Sequence, residues 1–216
     1  QLEIEASIGI AIHPDHGADA SELLQRADVA MYRAKAESQP YRVYGWDDDD
    51  HSPERLALAG DLRRANARGE LLLDYQPQAR LETGEIVGVE ALMRWEHPER
   101  GLLAPSEFIP VAERTALIGP LTLHAIDTAL AECAEAGAGG LTVSVNISAR
   151  NLTDAYFPGA VGAILARRGC RAGRLELEIT ETALMADPVR ATEVLRRLAA
   201  MGGRLSLDDF GVGYTA

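Results

Sequence analysis

The stretch "EIVGVEALMRWEHP", Glu85 to Pro98, decides how this chain is read. Its apolar and β-branched residues fit a strand, yet Glu90 interrupts the run and Arg94 follows four residues later. A carboxylate buried without a partner costs several kcal/mol, so an acid in such a run asks for a compensating group. Just before it, "LLLDYQPQARL" reads as another strand, and the short "ETGE" between them predicts an antiparallel hairpin.

Working outward, the downstream chain reads as helix "LTLHAIDTALAECAEAG", strand "LTVSVNIS", helix "FPGAVGAILARRG", strand "RLELEIT", helix "PVRATEVLRRLAAMG" and strand "RLSLDDF". This alternation repeats at about 30 residues, the size of a βαβ unit, and predicts parallel strands with covering helices. Upstream, Ser52 is placed to cap a helix that Pro53 opens and Gly69 ends. The first segment predicts strand, helix and strand: "IEASIGIAI", then "ELLQRADVAMYRAKAE", then "YRVY". In that helix Leu23, Leu24, Ala27, Ala30, Met31 and Ala34 form the apolar stripe and Ser21 is the expected N-cap. Asp47 to Asp50 repel one another and read as a linker. The expected division is therefore a first domain over 1–46, a linker over 47–51 and a second domain over 52–216.

The 216 residues carry 33 acidic and 21 basic side chains, a net charge of -12, which argues against a nucleic-acid polymer as partner. Cys133 and Cys170 lack a CxxC pattern or a nearby histidine, so a zinc site or disulfide framework is not expected. Reduced thiols fit a cytosolic setting. No apolar run approaches the roughly 18 residues of a membrane span. The chain begins without Met and stops after a strand, which predicts a piece of a longer protein.

Glu90 is read as closing the strand "IVGVEAL", and the oddity recurs. Asn146 closes "LTVSVN", Glu178 lies in "LELEIT", and Asp208 with Asp209 close "RLSLDD", at spacings matching consecutive βαβ units. In a parallel α/β array the C-terminal strand ends lie together, where active sites are built. Several acids converging without a matching set of lysines call for a divalent cation, and all-oxygen donors suit Mg²⁺ or Mn²⁺. Arg94 is placed to fork onto a phosphate or to pair with Glu96, and Gln76 either bonds a base edge or is structural.

These residues sit in motifs, "EALMRW", "FIPVAE", "SVNISARNL", "LELEITET" and "DDFGVGY", whose order and spacing resemble the EAL domain, the cyclic-di-GMP phosphodiesterase of bacterial signalling. The resemblance covers Ser52 to Ala216 and implies an α/β fold, a TIM-type barrel with an antiparallel first strand, incomplete here. It implies that Glu90, Asn146, Glu178, Asp208 and Asp209 hold a pair of metal ions. Glu90, Asp208 and Asp209 would thereby be catalytic, with Glu181 steadying the loop after the aspartate pair. Gln76 and Arg94 would contact guanine and phosphate. The implied reaction is hydrolysis of cyclic-di-GMP to pGpG by metal-activated water.

The first 46 residues resemble the end of a GGDEF diguanylate cyclase domain, through "SIGIAI" and "LLQRADVAMYRAKAE". Lys35 is present, but Gln39 stands where that family has a phosphate-contacting arginine, and the GGDEF loop is not in the chain, so no cyclase activity is expected of this segment. The family also implies a cytoplasmic location, any membrane anchor lying N-terminal to this chain, and a homodimer through the EAL domain. With fewer strands than a closed barrel, the chain alone is expected to be inactive. The alternative expectation is an EAL domain that has lost catalysis and serves as a cyclic-di-GMP receptor.

Overall fold

The computed structural model describes residues 7–36, 39–45 and 53–208. The chain divides into two compact units, Gln1–Ala57 and Leu58–Ala216.

In the first unit, β1 (Ile8–Ile10) and β2 (Tyr41–Val43) are parallel and joined through α1 (Ala20–Ala36). A Cβ on Gly9 would stand 1.8 Å from the Ala27 carbonyl oxygen, so only glycine lets β1 lie this close to the helix. Ala30 and Ala34 are buried as the stripe predicts, but Leu24 and Met31 are exposed. The N-terminal cap is Asp19 rather than Ser21: helix α1 starts before Ser21, and the Glu22 amide donates to Asp19 Oδ1 at 3.0 Å. Asp47 to Asp50 and Ser52 lie outside the described residues.

Helix α2 (Pro53–Ala65) stops a turn earlier than the sequence suggests. The Glu70 amide reaches back to the Ala65 carbonyl at 3.0 Å, and Gly69, at φ 68°, makes the turn into the sheet. The sheet runs β3 (Leu71–Ala79), β4 (Ile86–His97), β6 (Thr142–Ile147), β7 (Leu175–Thr180), β8 (Arg204–Asp208), with β5 (Gly101–Leu103) paired to the far end of β4. Strands β3 and β5 are antiparallel to β4, while β4, β6, β7 and β8 are mutually parallel. The antiparallel hairpin and the parallel array are both as expected. Among the described residues the sheet is open, with β3 and β8 at its edges.

Helices α4 (Ile118–Glu135), α6 (Phe157–Arg168) and α8 (Pro188–Ala200) are the predicted crossovers. Helices α3 (Pro105–Arg114), α5 (Ala149–Thr153) and α7 (Glu181–Ala186), like β5, were not foreseen. Helices α5 and α7 have 5 and 6 residues, too few turns to show a period, whereas α3, with 10, buries Phe108, Val111 and Ala112 at helical spacing that the sequence reading passed over.

The main core joins the outer face of the sheet, through Val143, Val145, Leu175, Leu177 and Ile179, to the apolar sides of α4, α6 and α8. A second core gathers Leu58 and Leu62 of α2, Phe108 of α3 and the fully buried Trp95 near the end of β4. Trp95 meets Phe108 edge-on at 5.8 Å between centroids and donates its indole N–H to Glu70 Oε2 at 3.1 Å. Replacing Trp95 by Ala is expected to cost about 3–5 kcal/mol, read as a lower denaturant midpoint; a loss under about 1 kcal/mol would contradict this packing.

Candidate metal and substrate site

The sequence suggested that Glu90 closes a strand. It does not: β4 continues through His97, and Glu90 lies one residue before the end of the stretch that pairs with β6, Gly88–Ala91 against Thr142–Val145. Beyond Ala91 the strand is held by β3 and then β5.

Side chains directly opposite one another across a ladder share a face, as do alternate residues along a strand. Glu90 faces Gln76 on one side and Ser144 on the other. Asn146 faces Glu178, Glu178 faces Ser206, and Asp208 faces Thr180. These pairings place Gln76, Glu90, Asn146, Glu178 and Asp208 on one face. Ala91, Val145, Leu177 and Ile179 point to the other face, into the helix-covered core. What looked like buried strands are two-sided strands, apolar outward and polar inward. Asp209 lies outside the described residues, as does the side chain of Glu181, whose backbone opens α7.

The polar groups interlock. Asn146 Nδ2 donates to Glu90 Oε1 at 2.8 Å. Gln78 Nε2 donates to Glu178 Oε1 at 3.2 Å, and the buried Ser144 hydroxyl donates to Gln78 Oε1 at 3.3 Å. The Glu178 carboxyl is pushed above its ordinary range, first by burial and further by the negative charges of Glu90 and Asp208. The nearby Ser144 hydroxyl and the amide N–H of Gln78 oppose that rise. Glu178 therefore feels two further carboxylates here.

Among the described residues no three His, Cys, Asp or Glu side chains stand close enough to hold a metal ion. The donor chemistry nonetheless fits a hard cation. With Nδ2 committed to Glu90, Asn146 keeps Oδ1 as a neutral oxygen donor, and Glu178 sits in excess negative charge that a cation would relieve.

Arg94 does not pair with Glu96. Its Nε lies 2.8 Å from Asp74 Oδ2 and its Nη1 donates to the Met93 carbonyl at 2.9 Å. Asp74 is on the same polar face, opposite Leu92, and sequence reading passed over it. Gln78 was also missed, although its period-two relation to Gln76 in "QPQ" was enough to put it on the same face.

A pocket of about 600 Å³ opens beside the parallel strand ends, lined by Leu92, Pro105, Ile109, Glu113, Asn146 and Ala183 among others. Asn146 is the one proposed metal ligand on its wall. Burial raises the Glu113 carboxyl above its ordinary range, opposed by Arg150 and Arg114. Strand residues Ala91 to Met93, Val145 to Ile147 and Thr180 share its wall with residues of α3, α4, α5 and α7.

The fold and site together define a barrel-type α/β domain with an acidic oxygen-donor cluster on its inner face. The chain belongs to the EAL domain family, whose model matches residues 59–216, and residues 1–40 match the diguanylate cyclase GGDEF domain. It is 43% identical over 217 residues to an uncharacterized signaling protein of Caulobacter vibrioides, covering 100% of this chain and 27% of that protein. It is 38% identical over 220 residues to the bifunctional diguanylate cyclase/cyclic di-GMP phosphodiesterase MucR of Pseudomonas aeruginosa, covering 100% of this chain and 32% of the relative. The chain thus spans about a third or less of the length of these relatives. A solved MucR phosphodiesterase in complex with c-di-GMP superposes with a TM-score of 0.68 at 38% identity, over 74% of this chain and 66% of that one. EAL domains are TIM-barrel-like, and the fold here agrees with that architecture.

Because folding holds Glu178 in its raised state, the carboxylate form destabilises the native protein as pH rises through that folded value. Glu178→Gln is expected to raise the melting temperature in EDTA at neutral pH. A fall in melting temperature would show that the charge is already compensated.

Proposed function

We propose that the Leu58–Ala216 unit serves a cyclic-di-GMP phosphodiesterase that opens one phosphodiester to give linear pGpG, assisted by two divalent cations, Mg²⁺ or Mn²⁺. The observation that carries this reading is the gathering of Glu90, Asn146, Glu178 and Asp208 on one polar face, beside a pocket at the parallel strand ends. The activity in MucR's name and the cyclic-di-GMP in its solved complex support the same substrate.

In this reading Glu90, Asn146 Oδ1, Glu178, Asp208 and Asp209 hold the cations, which when bound supply water activation and charge neutralisation at phosphorus. Asn146 orients Glu90 through its amide N–H, which leaves Glu90 Oε2 for a cation. Gln76, exposed opposite Glu90, offers its amide to a guanine edge. Arg94 has committed Nε to Asp74 and one Nη1 hydrogen to Met93, so Nη2 is the group it presents to a phosphate. Glu181, at the start of α7, steadies the loop after the aspartate pair.

The test is hydrolysis of cyclic-di-GMP by the full-length protein with Mg²⁺ or Mn²⁺, expected to yield pGpG and to stop in EDTA. Glu90→Gln should lower the rate by more than about 100-fold, since even outer partners of metal ligands are worth about 10–100-fold. Binding without turnover would replace this reading with the receptor one.

The Asp74 carboxylate competes with any phosphate for Arg94. Asp74→Asn is expected to tighten cyclic-di-GMP binding by up to about 5-fold, the equivalent of the roughly 1 kcal/mol that a partly exposed ion pair contributes. Weaker binding on calorimetry would mean that Asp74 holds the guanidinium in its productive pose instead.

A further inference from the structure

Gln78 makes a contact that its place in the sheet would not suggest. It belongs to edge strand β3, yet its amide N–H reaches Glu178 on β7, past β4 and β6. In a flat sheet those strands would stand about 14 Å apart, three spacings of about 4.8 Å. The contact closes because the polar face is concave and because the residue opposite Gln78 is Gly88. A Cβ on Gly88 would lie 2.8 Å from Gln78 Oε1 and 3.0 Å from the Thr142 carbonyl oxygen. Gly88 has no positive-φ backbone to explain a glycine there, so the space it leaves is what its side chain's absence provides. Ser144, fully buried, fixes the amide from the other end by donating to Gln78 Oε1.

We infer that Gln78 is a positioning residue for the metal site, holding Glu178 by Oε1 so that Oε2 faces the cations, with Gly88 as the notch that admits the amide. This rests on the metal-site reading of the previous subsection. The chemistry is that of an outer partner: a neutral N–H donor orients a carboxylate ligand and spreads its charge without competing for the cation. The ionised Glu178 carboxylate, which only accepts, sets the amide: Nε2 faces Glu178 and Oε1 is left to accept from the Ser144 hydroxyl.

Mn²⁺ affinity of the full-length protein, measured without substrate by calorimetry or electron paramagnetic resonance, tests this. Gln78→Met is expected to weaken Mn²⁺ binding by about 10–100-fold while the melting temperature in EDTA stays near that of the wild type. Gln78→Glu, close in size and suited to the case where Met perturbs folding, should weaken Mn²⁺ at least as much at pH values where both carboxylates are charged. Gly88→Ala should reproduce the Gln78→Met loss, and the double variant should be no worse than either alone. Wild-type affinity in both Gln78 variants, while Glu178→Gln abolishes Mn²⁺ binding, would overturn the role of Gln78 and leave the metal site standing. Additive losses from Gln78→Met and Gly88→Ala would overturn the notch. If the wild-type protein binds no Mn²⁺, the metal-site reading fails and this inference fails with it.

Discussion

Glu90 and Ala91 are neighbours in the chain and stand on opposite faces of β4, one toward the polar groups and one in the main core. The rest of the Leu58–Ala216 unit follows from that alternation repeating in register across β6, β7 and β8. Apolar side chains on the outer face draw α4, α6 and α8 against the sheet. That packing fixes the register, because a slip of one residue in any strand would exchange its core side chains for its polar ones. The positions of Asn146, Glu178 and Asp208 relative to Glu90 are therefore set by hydrophobic burial on the other side of the sheet, not by any attraction among the acids.

Left to themselves, the acids repel. Among the described strand residues of the polar face the cations are Arg94 and Arg204, and each is already engaged, with Asp74 and with the Thr142 hydroxyl. The middle of the face is served by neutral donors, the amides of Asn146 and Gln78 and the hydroxyl of Ser144. Neutral donors soften the repulsion without cancelling it, and Glu178 remains raised. A lysine in the same place would cancel the charge and also occupy the position a metal ion would take. Amides leave the field negative and the carboxylate oxygens oriented.

The strands and long crossover helices were legible because their periods are long and clean, and the acids were legible because they break the apolar pattern at a repeated phase. The reason they break it was not. Without the other strands, "IVGVEALMRW" gives no sign that one face is covered and the other is not, so Glu90 looked like a strand end when it lies well inside β4. Asp74 was overlooked because an acid ahead of "YQP" has nothing to converge on until β3 folds beside Arg94. Gln78 was overlooked because its partner lies a hundred positions away, and local spacing carries no trace of sheet curvature. The short helices α5 and α7 escaped for a simpler reason: five or six residues are too few to carry a period, while the period of α3, at Phe108, Val111 and Ala112, was present and overlooked.

Strand β4 passes through both cores, with Ala91 in one and Trp95 in the other. A single beam clamped at two points cannot slide at one without sliding at the other. Moving it by one residue would shift the chain by about 3.4 Å and put Val89 or Ala91 where Glu90 stands. The carboxylate is therefore positioned in steps rather than by degrees: the strand is seated and the acid is in place, or the strand is unseated and the acid is gone.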